Sequence, residues 1–299
     1  MADPLAQVIQ LLRPRAVVSK GISGAGRWAV RYSAFDHPGF CAVTSGRCRL
    51  AVEGEEPVTL EAGDFLLLPA TPAFAMSGFE PAVPLLLDPS QSADHPVRHG
   101  RQDGPPEVEQ LGGWFTFEAP EAGLLVGLLP RMIHIRGLAR LAELVRFLGD
   151  EAARDDIGRE PILERLVEIL LIEALRVAPA PGAAPGLLCG LADPRLAAAL
   201  RAMHGAPDRG WTLPDLARAA GMSRSAFFDR FTGLVGLRPM EYLMGWRMAL
   251  ARGLLRDGRL TLDEVAQRIG YGSASTFSTA FSRHTGLPPG RFRRGAAAI

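Results

Sequence analysis

The sequence predicts an α+β fold in two parts: an N-terminal antiparallel β-barrel with a helical appendix, then an all-α region holding two helix-turn-helix units. Three observations predict it. From Trp28 to Leu128 the chain breaks into short β-branched, aromatic or alternating runs separated by turn residues. The helical period returns after Pro130. Between residues 212 and 289 one short pattern occurs twice.

Residues 3–13 read as an amphipathic helix with Leu5, Val8, Ile9 and Leu12 on one face. Strands are expected at Trp28–Phe35, Phe40–Thr44, Arg47–Glu53, Pro57–Leu60, Phe65–Leu68, Ala73–Met76, Val83–Leu87, Trp114–Phe117 and Leu124–Leu128. His37-Pro38-Gly39, Ser45-Gly46, Gly54, Gly63-Asp64, Pro69 and Gly112-Gly113 supply the turns between them. Many short strands at near-regular spacing suggest a sandwich or jelly-roll barrel. Residues 88–110 are polar and read as a long loop. Leu138, Leu141, Leu144, Val145 and Leu148 then form one apolar helical stripe. Ile162, Leu163, Leu166, Ile169, Leu170 and Leu175 form another, starting beside Pro161. Either both helices pack on their own barrel or the second forms a dimer interface. The Pro/Ala/Gly stretch from Ala178 interrupts helices, so the predicted boundaries are 1–177, a linker at 178–192 and a helical region at 193–299.

In the doubled pattern, Thr212-Leu213-Pro214-Asp215-Leu216-Ala217 is followed by Gly221, Ser223, Ser225, Phe227, Phe231, Gly236, Leu237 and Pro239. Thr261-Leu262-Asp263-Glu264-Val265-Ala266 is followed by Gly270, Ser273, Ser275, Phe277, Phe281, Gly286, Leu287 and Pro289. The offset is 49 up to the first glycine and 50 after it, through one inserted residue, Gly272. In each copy a short helix ends on a left-handed glycine and a serine caps the next helix. Two phenylalanines four apart then turn that helix into the core. This leaves an outer face of Arg224, Ser225, Phe228 and Asp229 in the first copy. In the second it is Ala274, Ser275, Thr276, Ser278 and Thr279. A helix joins the copies from Pro239 to Leu255, and at 1.5 Å per residue it spans roughly 25 Å.

The formal net charge of +1 conceals an asymmetry. Residues 1–177 carry 17 basic and 24 acidic side chains, whereas residues 178–299 carry 16 and 8. A basic second part suggests a polyanionic partner, and the acidic first part argues against the whole chain coating nucleic acid. Cys41, Cys48 and Cys189 are sparse and odd in number, as expected in a reducing cytoplasm. No charged segment followed by an apolar one reads as a signal peptide, and no apolar run approaches a membrane span.

Residues from about 193 to 294 resemble the DNA-binding domain of the AraC/XylS family of bacterial transcription regulators. The signature stands in the second copy, at Ala266, Gly270-Tyr271, Ser273, Ser275, Phe277, Phe281, Gly286 and Pro289. The resemblance implies that both second helices enter the major groove of double-stranded DNA. It also implies an N-terminal cupin-like barrel that binds a small-molecule effector of unknown identity and helps form a homodimer. RNA polymerase is a further implied partner. Residues 1–177 resemble such a barrel, with Leu60-Glu61-Ala62-Gly63-Asp64 at one hairpin. Two departures matter. Many family members carry a basic residue at the position of Thr279. The paired histidines and carboxylate of metal-binding cupins are absent, and Cys41 and Phe74 stand where related sensor barrels often have histidine. Neither a metal nor a cofactor is therefore expected.

On the first outer face Arg224 suits guanine or a phosphate, Ser225 almost any base edge, and Asp229 cytosine N4. Phe228 suits a thymine methyl, or else packs on the Pro239–Leu255 helix. An intrahelical pair with an arginine is the alternative for Asp229. The second face offers small contacts only. Arg230, Arg247, Arg252, Arg283, Arg291 and Arg293 are candidates for phosphate contacts that set register without reading sequence. Trp28, Tyr32, Phe40, Cys41, Phe74 and Trp114 are candidate effector-pocket residues, or equally a filled core. No spacing suggests catalysis, and the six histidines show none suited to a metal. Two alternatives stay open: a cupin-type enzyme with a DNA-binding appendage, and a redox sensor using Cys41 and Cys48, which flank a predicted hairpin.

Overall fold

A computed structural model of the protein describes residues 3–12, 14–35, 37–88, 96–117, 126, 129–137, 139–152, 154, 156–177 and 185–296. Its strands are β1 (Pro14–Ala25), β2 (Ala29–Tyr32), β3 (Gly39–Val52), β4 (Val58–Glu61), β5 (Phe65–Leu68), β6 (Phe74–Ser77), β7 (Leu85–Leu87), β8 (Val97–Gly100), β9 (Val108–Phe117) and β10 (Ile133–Ile135). They form a mixed sheet curled into a half-barrel, in the order β7-β2-β6-β3-β9-β1-β8. Strands β4 and β5 also pair with β3, and β10 pairs with β5.

The curl originates in β3, which is one strand where the sequence suggests two. Gly46 does not turn the chain. It sits at φ 70°, where an added Cβ would lie 1.8 Å from the Glu107 carbonyl oxygen, so only glycine fits. The register against β9 shifts between Val43 and Ser45. A bulge of this kind bends a strand. The first half of β3 therefore pairs with β5 and β9, and the second half with β4 and β6. Two edge pairs, β1–β8 and β2–β7, run parallel, which the antiparallel expectation did not include.

Inside, Val30, Leu50, Leu60 and Leu66 are among the buried residues of the barrel core. Asp64, at the Glu61–Asp64 turn, accepts from the Glu61 amide at 3.0 Å and lies 2.9 Å from His134 Nε2, which ties β10 to this corner. The loop expected at 88–110 contains β8 and the start of β9; its residues 89–95, with His95, lie outside the described residues. Strand β1 escaped the sequence reading because Ser19, Lys20, Gly21 and Gly24 break its apolar pattern. Except for Val126, the strand expected at Leu124–Leu128 is also outside the description, as are Leu138 and the side chain of Phe115.

The helices are α1 (Pro4–Leu12), α2 (Ala139–Ala152), α3 (Arg159–Arg176), α4 (Leu187–Ala192), α5 (Pro194–Gly205), α6 (Leu213–Ala219), α7 (Arg224–Val235), α8 (Pro239–Asp257), α9 (Leu262–Arg268), α10 (Ala274–Thr285) and α11 (Pro289–Ala296). Among the described residues, none is long and apolar enough to cross a membrane. The strands with α2 and α3 form one unit, and α1 with α4–α11 a second. Helix α1 thus clusters with the helical unit, not with the barrel to which the boundary at 177 assigns it. Its Val8, Ile9 and Leu12 are buried, and Gln7 Oε1 lies 3.1 Å from His204 Nδ1.

In the barrel unit, α3 packs on α2 and β1 through Leu163, Val167, Leu170, Leu171 and Ala174. The apolar stripe expected on α3 therefore splits: Ile162 and Ile169 stay exposed. The described end of the expected linker is helical. In α4, Leu187 and Leu188 are buried, and an added Cβ on Gly190 would meet Val235 Cγ2 at 2.7 Å, so α4 lies tight against α7.

Candidate nucleic-acid interface

Each copy of the pattern folds as a short helix, a tight turn and a second helix. Thr212 and Asp215 form a reciprocal capping box on α6, as Thr261 and Glu264 do on α9. Gly221 at φ 62° and Gly270 at φ 82° end those helices in the left-handed region. Ser223 and Ser273 cap α7 and α10 by accepting from the Ala226 and Thr276 amides. Phe227, Phe231, Phe277 and Phe281 are all fully buried.

Helix α8, with 19 residues, serves both cores. Tyr242 near its start meets Phe231 edge-on, with ring centroids 5.7 Å apart. Met248, Ala251 and Leu255 near its end pack with Val265, Ile269, Phe277 and Phe281. The first half also carries a buried polar cluster. His204 stacks on Trp246 at 3.9 Å, and its Nε2 lies 2.6 Å from the Tyr242 hydroxyl. Burial lowers the His204 pKa to about 3, so the ring is neutral.

The outer faces differ. On α7, Arg224, Ser225 and Asp229 are exposed and Phe228 is half-buried. Asp229 makes no ion pair among the described residues, so the intrahelical alternative is not realised. On α10, Ser275, Thr276 and Thr279 are exposed, with Ala274 and Ser278 half-buried. Both threonine hydroxyls here turn inward: Thr279 Oγ1 donates to the Ser275 carbonyl at 3.2 Å, and Thr276 Oγ1 lies 3.0 Å from Ser273 Oγ. The Ala274 amide donates to Asp263 Oδ1 at 3.2 Å.

The six arginines expected at phosphates divide. Arg230 is held by Asp193, the N-cap of α5, through Nε at 2.7 Å and a second nitrogen. Burial alone pushes the Asp193 carboxyl up; hydrogen bonds from the Leu196 amide and from Arg230 more than reverse it. Arg247 donates to the Pro207 and Arg209 carbonyls at 2.7 and 2.8 Å. Arg293 donates to the Leu260 carbonyl at 2.7 Å. Arg252 is half-buried, 6.0 Å from the Phe292 ring centroid. Arg230, Arg247 and Arg293 are thus engaged inside the helical unit, while Arg252 Nε is buried without a hydrogen-bond partner among the described residues. Arg283 and Arg291 remain exposed. Spacing alone misses this division because the partners of three of the four are backbone carbonyls or a residue far along the chain.

In the barrel unit, a partly open cavity of about 90 Å³ lies among Tyr32, Phe40, Cys41, Phe74 and Trp114, as the sequence suggested. Trp28 is not part of it. Its ring is buried beside His99 and fills the space next to Gly24 and Gly78. Lys20, Met76 and Gln110 line the cavity without having been expected there. Cys41 and Cys48 do not flank a hairpin; both lie on β3 and are buried. Burial raises both thiols, with Cys48 to about 12 helped by Asp64 and Cys41 helped by Cys48. Protonated, enclosed thiols are poor nucleophiles, which runs against the redox alternative.

Two capped helix-turn-helix units on one connecting helix, within the basic part of the chain, define a DNA-binding module of the double helix-turn-helix class. The comparisons agree. Residues 3–179 match a cupin family, and residues 216–295 match a helix-turn-helix domain family. A Streptomyces lividans protein described as an AraC-like transcription regulator is 38% identical over 98% of both chains. One from Streptomyces antibioticus, described alike, is 36% identical over the same shares. The crystal structure of the DNA-binding domain of AdpA in complex with a target DNA covers 36% of this chain and 95% of that one, with 31% identity and a TM-score of 0.33. The chain belongs to the AraC-like transcription regulators, and it is a DNA-binding regulator of transcription.

Proposed function

We propose that the two outer faces divide the work on DNA. Helix α7 reads base edges through Arg224, Ser225 and Asp229, with Phe228 at its margin. Helix α10 fits the groove with the small side chains of Ala274, Ser275, Thr276, Ser278 and Thr279 and contributes little discrimination. Arg283 and Arg291 hold phosphates. The observation that carries this reading is the contrast in chemistry between two faces built on matching scaffolds. Selection from a pool of random duplexes tests it. The expected product is one motif with a sharply defined half and a loosely defined half. Two equally sharp halves, or no enrichment, refutes it.

The barrel acts as the sensor, with the aromatic cavity as the effector site, and the chain works as a regulator in the cytoplasm beside RNA polymerase, not as an enzyme. An effector shifts DNA binding only through different affinity for two states of the protein. Dimerisation through the exposed Ile162 and Ile169 of α3 completes the proposal. Ile162→Glu with Ile169→Glu yields a monomer in solution if it holds; an unchanged mass sinks that part.

A further inference from the structure

Strand β9 points every second side chain into the barrel. Val108 is buried, Gln110 is 3% exposed, and Trp114 lines the cavity. At position 110 an aliphatic residue would continue the pattern, but the chain places an amide there. Three sulfur atoms are its partners. Cys41 Sγ donates to Gln110 Oε1 at 3.2 Å, Cys48 Sγ reaches the same oxygen at 3.9 Å, and Gln110 Nε2 faces Met76 Sδ at 3.8 Å. Thiols are weak donors and a thioether is a weak acceptor. A buried amide is costly unless well hydrogen-bonded, and these contacts leave much of that cost uncompensated. The cavity opens beside this same group, bounded by Cys41, Met76 and Gln110.

We propose that Gln110 is the specificity-determining residue of the barrel cavity, and that the cavity takes a small, mainly apolar molecule carrying one uncharged hydroxyl or carbonyl group docked on the Gln110 amide. This rests on the reading of the cavity as a ligand site. Tyr32, Phe40, Phe74 and Trp114 supply the apolar and aromatic walls. The polar corner is neutral: an amide, the Cys41 thiol and the Tyr32 hydroxyl. Burial, aided by Cys41, pushes that hydroxyl up to about 12. A charged group brought to this corner would lose its hydration, and the amide, thiol and hydroxyl offer it no counter-charge. Lys20 is the rival anchor in the lining and would select a carboxylate. A benzene ring fits an enclosed cavity of about 150 Å³. In this smaller space a ring keeps part of itself at the open side.

Phenol, toluene and benzoate separate these cases, titrated into the full chain by calorimetry. Toluene leaves water more readily than phenol, so a merely apolar cavity ranks it first. Docking on Gln110 reverses the order, with phenol about three- to tenfold tighter than toluene and benzoate weakest. Gln110→Leu restores the preference for toluene. It folds at least as stably as the parent, because it removes a poorly satisfied amide. Gln110→Met, a second apolar replacement of similar length, gives the same ranking if Gln110→Leu fails to fold. Toluene ahead of phenol in the parent chain overturns the proposal while leaving the cavity a ligand site. Benzoate tightest overturns it in favour of Lys20. An unchanged ranking in both variants shows that Gln110 does not set specificity. Binding of none of the three removes the ligand-site reading together with the proposal.

Discussion

Around α7, Phe227 and Phe231 are fully buried and Phe231 meets the first half of α8 at Tyr242; around α10, Phe277 and Phe281 pack with its second half. The caps correspond position by position, from the Thr212 and Thr261 boxes to the left-handed Gly236 and Gly286 that end the second helices. Beyond these shared parts the copies diverge. The first has Arg224 and Asp229 outside and the buried imidazole of His204 beneath. The second has two threonine hydroxyls turned back on their own helix or its cap, and a cluster of apolar buried residues beneath. Duplicated scaffold and divergent surface indicate that folding constrains the repeated residues and leaves the positions between them, with His204 outside the copies, free to differ.

If the scaffolds are equivalent, matched core truncations cost the same. Phe231→Ala and Phe281→Ala should each destabilise the helical unit by about 3–5 kcal/mol. Denaturant unfolding of the two variants checks this. A difference of more than about 2 kcal/mol would mean that α8 supports one copy far better than the other.

Acid should separate the copies next. The folded His204 pKa, about 3, lies below the unfolded value of roughly 6.5. The unfolded chain therefore binds the proton that the folded one refuses. The contribution of the neutral ring is intact above about pH 6.5 and is lost as pH falls towards 3. At pH 5 the loss is about 2 kcal/mol. Amide exchange should show earlier opening around Tyr242 and Trp246 than around Phe277 and Phe281. His204→Phe should abolish the difference; its persistence would place the acid-sensitive group elsewhere.

Recognition is tested by Asp229→Ala against Thr279→Ala. The first should relax base preference at one position, at a cost of about 1–3 kcal/mol if the contact is direct. The second should leave the binding profile as it was, because Thr279 Oγ1 already donates to the Ser275 carbonyl. A profile altered only by Thr279→Ala would invert the assignment of reader and anchor.

The legible parts of the molecule are the local ones. Caps, left-handed glycines and paired phenylalanines act within a dozen residues, so both helix-turn-helix units could be read from the chain. The bend of β3 could not, because Gly46 resembles a turn residue and only the Glu107 carbonyl opposite reveals a bulge. Helix α4 was hidden by the Pro/Gly-rich stretch before it, although Leu187 and Leu188 pack as core. In the barrel, aromatic composition pointed to most of the cavity wall. It misplaced Trp28, whose burial depends on two glycines distant from each other in sequence, Gly24 and Gly78. Gln110 left a usable signal, the period-two alternation from Val108 to Trp114, which a reading of residues 88–110 as loop concealed.

The smallest effects concern arginines that look interchangeable in the sequence. Arg283 is exposed near the end of α10, whereas Arg230 near the middle of α7 is clamped on Asp193. An arginine that neutralises one phosphate contributes about one unit to the slope of log affinity against log salt. Arg283→Ala should lower that slope by about one and leave stability unchanged. Arg230→Ala should leave the slope alone and instead loosen the start of α5, where Asp193 would cap the helix without its counter-charge. The guanidinium is half exposed, so water screens the pair and the stability cost is modest, about 1 kcal/mol. Salt titrations of DNA binding and thermal unfolding of the two variants read these quantities independently. A fall in slope for Arg230→Ala would mean that DNA draws the guanidinium away from Asp193, making the first copy a phosphate clamp as well as the reader.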